Sequence, residues 1–119
     1  MNTEGMEVIY AAIQSGDRES IRSWFAPDVI HHHVTLAMNY KGFDAAFDGV
    51  RELLRQAEST FTVEAVDNRG DFVTSFFRAV NGIRNVDFQG LHVFRMDKNV
   101  VAESWVFFPQ MPTEELLDR

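Results

Sequence analysis

The chain contains no cysteine, so neither a disulfide framework nor a thiolate nucleophile enters the reading. Basic runs are missing as well. The 11 Lys and Arg are scattered singly among 18 Asp and Glu, for a formal charge of −7. A phosphate-tracking surface needs clustered cations, so nucleic acid is not an expected partner. No stretch nears the ~20 apolar residues of a membrane span. The N-terminal "MNTEGMEVIYAAIQSGD" lacks the basic start and unbroken apolar run of a secretion signal. A cytoplasmic protein without membrane attachment is the expectation. What the chain has in quantity is phenylalanine, 11 in 119 residues. That length suits one domain spanning residues 1–119, and so many rings exceed what a small core needs.

Residues 4–15 predict a helix, because Met6, Ile9, Tyr10 and Ile13 recur at spacings of three and four. Ser15-Gly16-Asp17 stops it. "DRESIRSWFA" predicts a short second helix burying Ile21, Trp24 and Phe25, ended by Pro27. "DVIHHHV" reads as a strand and "TLAMNYKG" as a loop. Residues 43–58 predict the longest helix, with Phe43, Phe47, Val50 and Leu54 on one face and Gly49 as a weak point. From Thr60 four β-rich runs follow, parted by "DNRGD" and "DKN" and expected to pair antiparallel. The tail, residues 109–119, carries prolines and acids and predicts a loosely held extension. The order implies an α+β layout with helices on one face of a curved sheet.

Three segments carry a resemblance: "YAAIQSGDRESIRSWFAPDVIHHH", "YKGFDAAFDGVRELL" and "GLHVFRMDKNVVAESWVF". They resemble the SnoaL-like polyketide cyclases, within the nuclear-transport-factor-2-like group that includes ketosteroid isomerase. The resemblance implies a cystatin-like cone, in which a strongly bent, mixed and mainly antiparallel sheet wraps around the long helix. It also implies an apolar pocket and a homodimer through the outer sheet face. Phe and Val on both parities of "FVTSFFRAV" and "SWVFF" point the same way. No cofactor is implied, and the expected small-molecule partner is apolar.

Three consecutive histidines, 31–33, stand in the first strand. By parity His31 and His33 share one face and His32 takes the other. Aligned on ketosteroid isomerase, His33 falls at its general-base aspartate and His92 at its oxyanion-donating aspartic acid. The resemblance thus makes His33 and His92 the candidate catalytic pair, since an imidazole takes or gives a proton near neutrality. Trp24, Tyr40, Phe47, Phe94, Ser104, Val106 and Phe108 are the candidate pocket residues. His31 and His33 at i, i+2 also fit a metal site, but no third ligand is marked by spacing. One departure matters: the cyclases read Glu-x-Trp-Asp on the last strand, and here Val106 stands where that catalytic aspartate belongs. Three readings stay open: an acid/base isomerase or cyclase, a non-catalytic dimeric binder, and a scaffold with a vestigial pocket.

Overall fold

A computed structural model describes residues 1–57, 59–81 and 86–107. Two helices pack on one face of a six-stranded sheet. Helix α1 (Thr3–Ser15) is opened by Asn2, whose side chain accepts from the Gly5 N–H, and closed by Gly16 at φ 81°. The predicted stripe is buried, with Met6, Ile9, Tyr10 and Ile13 all at most 6 % exposed. Helix α2 (Phe43–Ala57) is the longer one and presents Phe43, Phe47 and Leu54 to the core. Each such fully buried side chain contributes about 1.5–3 kcal/mol.

The strands are β1 (Phe25–His33), β2 (Met38–Lys41), β3 (Ser59–Arg69), β4 (Phe72–Asn81), β5 (Val86–Asp97) and β6 (Val100–Phe107), in the spatial order β2-β1-β6-β5-β4-β3. Every neighbouring pair is antiparallel except β1 with β6, which run parallel. Register shifts interrupt β1–β6, β3–β4 and β5–β6. Such bulges bend strands and increase twist, which curves the sheet around the helices. Both short turns fall where expected. Gly70 at φ 58° serves β3–β4, and Lys98 and Asn99, both with positive φ, serve β5–β6.

Two expectations are corrected. Residues 17–26 do not make a helix; they form two single 3₁₀ turns, Arg18–Ser20 and Arg22–Trp24. The segment is too short to repay helix nucleation, and its serines and Ile21 are weak helix formers. Phe25 is already extended and paired with Val101. The loop "TLAMNYKG" likewise contains β2, an edge strand so exposed that it lacks an alternating pattern. Gly49 also has a reason to be there. A Cβ at that position would lie 2.4 Å from the Tyr40 ring. The expected tail 109–119 and Phe108 lie outside the described residues.

Candidate functional site

The inward face of the sheet carries two cross-strand rows. In one, Tyr40, His31, Ser104, Phe94 and Val73 are successive partners across β2, β1, β6, β5 and β4. In the next, Met38, His33, Val106, His92 and Ser75 follow the same path. His33 and His92 are therefore two strands apart, about 10 Å along the row, with buried Val106 between them. His31 and His92 lie diagonally in adjacent rows, and their ring centroids are 5.4 Å apart. The pair brought together is His31 with His92.

These two rings line a cavity walled by Ile9, Phe25, Phe43, Phe47, Phe94 and Ser104, among others. Among the described residues no Lys, Arg, Asp or Glu is on its wall. The cavity measures ≈ 30 Å³, enough for one or two water molecules. His31 Nδ1 and Ser104 Oγ are 2.6 Å apart, both side chains buried. Three buried nitrogens of these rings, His31 Nε2 and both of His92, have no hydrogen-bond partner among the described residues. His92 is instead held by rings: Tyr10 stacks on it at 6.1 Å and Phe94 meets it edge-on at 4.6 Å. The Tyr10 hydroxyl is engaged with Ser75 Oγ at 3.0 Å, and burial raises its pKa.

Burial disfavours the imidazolium. It lowers His31 to about 4, with smaller contributions from His33 and His32. It holds His92 well below the usual histidine value, aided by His31. Both rings are neutral at physiological pH and offer hydrogen bonds rather than charge.

Among the other sequence-derived candidates, Phe47, Phe94 and Ser104 are on the cavity wall. His33 is buried at the end of β1 and is not among the wall residues; its Nδ1 accepts the Leu36 N–H at 3.3 Å. Burial lowers its pKa too. Tyr40 stands behind the wall with its ring stacked on His31 at 6.2 Å. Trp24 lines a separate open cleft with Met1, Gly5 and Met96. Parity reasoning placed His31 and His33 on one face; it missed the depth along β1 that sets His31 against Ser104 and His33 at the strand end. Among the described residues no group of three or more His, Asp or Glu could hold a metal ion.

Two arginines cover the cavity from outside. The Arg18 and Arg22 guanidinium groups each sit 5.0 Å from a ring, Phe47 and Phe43 respectively. Arg18 bonds Asp44 at 3.1 Å and also Asp48, while Arg22 bonds Asp44 at 2.9 Å and Glu19 at 2.7 Å. On the opposite face of the sheet Phe72, Phe76, Val80 and Phe107 are 37–45 % exposed. There His32 stacks on Trp105 and bonds Asn39 and Glu103.

No curated protein matches the chain. Solved structures similar to it include a candidate ketosteroid isomerase from Kribbella flavida, 15 % identical with a TM-score of 0.72, covering 91 % of this chain and 80 % of that one. A candidate polyketide cyclase from Sinorhizobium meliloti is 13 % identical at TM-score 0.70, covering 82 % and 88 %. A protein of unknown function with a cystatin-like fold from Methylobium petroleophilum is 14 % identical at 0.73, covering 96 % and 82 %. At these identities the likeness is one of fold. The family described as SnoaL-like domain matches residues 7–104, and this chain belongs to it.

Proposed function

We propose that the protein binds a small, largely apolar molecule with a carbonyl group, and that His31 and His92 handle that group as neutral acid and base. The observation that carries this reading is the set of three buried imidazole nitrogens left unpartnered against an apolar cavity. An unpaired buried polar group costs about 1–3 kcal/mol, so a ligand that pairs with these nitrogens recovers that cost. A neutral imidazole can donate to a developing oxyanion, and one of depressed pKa can still accept a proton from carbon beside a carbonyl. Enolisation, as in an isomerase or cyclase, is the reaction class this pair suits. A molecule larger than a water or two must push Phe43 and Phe47 outward to fit.

A second reading rests on Val106. With valine between His33 and His92 no carboxylate among the described residues serves the site, which favours a non-catalytic binder whose histidines only orient the ligand. On either reading the apolar outer face, from Phe76 to Phe107, suits a two-fold homodimer in the cytoplasm. The test is a β,γ-unsaturated cyclic ketone added to the protein. Enzymatic action moves the double bond into conjugation, read by ultraviolet absorbance. Binding alone shifts the His31 and His92 ring signals by NMR without turnover. His92→Ala should abolish turnover and weaken binding about tenfold. Undisturbed ring signals at saturating ketone would overturn the carbonyl reading.

A further inference from the structure

We infer that residues 18–24 form a strap over the cavity, latched to α2 by Arg18 and Arg22, and that ligands enter where this strap lifts. The inference deepens the ligand-binding reading and rests on it only for the probes that enter the cavity.

Much of the cavity wall comes from elements that are costly to move. His31, Phe94 and Ser104 belong to strands paired along both edges. Ile9 and Ile13 belong to α1, whose apolar stripe is buried. The side that carries Ile21 differs. Ile21 is on the wall and 1 % exposed, yet among the described residues the backbone hydrogen bonds of its segment stay local. The Ile21 N–H donates to Arg18 and the Trp24 N–H to Ile21. The segment is pinned at its ends, by the Asp17 N–H on the Ala12 carbonyl at 3.0 Å and by the pairing of Phe25 with Val101. Gly16, at φ 81°, turns the chain at the first end. Between the ends only side chains hold the segment down, so lifting it breaks no ladder.

The grip on α2 is polar and lies outside. Asp44 accepts from Arg18 at 3.1 Å and from Arg22 at 2.9 Å, and Asp48 accepts from Arg18. The same guanidinium groups lie over Phe47 and Phe43, the two rings that a ligand must displace. One set of side chains thus closes the strap on α2 and covers those rings. All four charged side chains are 32–59 % exposed, so water and salt weaken their pairing. Such a latch opens more readily than a strand leaves the sheet. Asp44 is its shared pin.

Trypsin reads the strap without any ligand, because Arg18 and Arg22 are themselves cleavage sites. Asp44→Asn should speed cleavage after Arg22 about fivefold and leave cleavage after Arg78, inside β4, within about twofold. Cyclohexanone and methylcyclohexane then probe the route, with rates read from NMR exchange of the Ile9 and Ile13 methyl signals. In Asp44→Asn association and dissociation should both quicken about fivefold while Kd stays within about twofold, since the latch is shut in free and bound protein alike. Salt at about 1 M, where the Debye length is ~3 Å, should do the same to the unsubstituted protein. Cleavage unchanged at Arg22, or raised equally at both sites, overturns the strap. Faster cleavage after Arg22 with unchanged probe rates puts the entry elsewhere and overturns the route. If methylcyclohexane shows the expected rates and cyclohexanone binds no better, the strap stands and the carbonyl reading fails. Binding of neither probe overturns both.

Discussion

Gly49→Ala sets helix propensity against tertiary packing at a single position. In an isolated helix the change is favourable by about 0.8–1 kcal/mol, since alanine restricts the unfolded backbone and stabilises the turn. Here the added methyl would stand 2.4 Å from one carbon of the Tyr40 ring and 2.6 and 2.8 Å from two more. Carbon atoms need roughly 3.5 Å or more, so the ring must move by about 1 Å. Tyr40 is not free to move without cost, because its ring is stacked on His31. Overpacking of this kind costs about 1–3 kcal/mol. The net expectation is a loss of about 1 kcal/mol, with His31 ring signals shifted. Urea denaturation of Gly49→Ala, Tyr40→Ala and the double variant separates the two terms. In the Tyr40→Ala background the alanine should stabilise by about 1 kcal/mol, giving a coupling near 2 kcal/mol. If Gly49→Ala stabilises the otherwise unchanged protein by the full propensity gain, the packing argument fails.

Stability should fall on mild acidification. His31 and His92 have folded pKa values below the unfolded one, so the unfolded chain binds more protons, and stability is complete above about pH 6.5 and lost as pH drops toward about 4. Between about pH 6.5 and 5.5 the two together should cost about 2 kcal/mol, before carboxylates contribute. Urea titrations at those pH values check it, and His92→Phe should remove about half the slope; a flat profile contradicts neutral burial. Phe76→Lys, on the outer face and away from the cavity, should convert a dimer to monomers in sedimentation at micromolar concentration. A monomeric unsubstituted protein would count against the interface.

Much of this architecture is readable from local signals. Helical spacing marks α1 and α2, and the Gly70 and Lys98-Asn99 turns announce the hairpins that join β3 to β4 and β5 to β6. The misread segments are those whose state is decided at long range. Residues 18–24 have some helical character but no partner face long enough to sustain it. Met38–Lys41 is a strand only because β1 lies beside it, its own burial pattern being nearly uniform exposure. At the site, parity gave the face of His31 and His33 but not which one meets His92. That depended on the β1–β6 register, which includes a bulge between Phe25 and Ile30 and leaves no trace in the chain. Ser104 could be picked out because strand parity sets it on one face with Val106, whereas His92 is marked by the family resemblance. Tyr10 was legible as a buried stripe residue, not as the ring on which His92 rests.

The parallel pairing of β1 with β6 also bears on how the chain folds. His31 and Ser104 are 73 residues apart in sequence, and closing so long a loop costs entropy that only the finished sheet repays. During synthesis the meander β3–β6 can assemble by local hairpins, but β1 has only β2 beside it until β6 emerges. Completion of the fold and creation of the cavity are thus one event. The reverse order follows for partial unfolding. If β1 and β2 detach from β6, four strands keep their ladder while His31 leaves Ser104 and His92, so the pocket disappears before the sheet does.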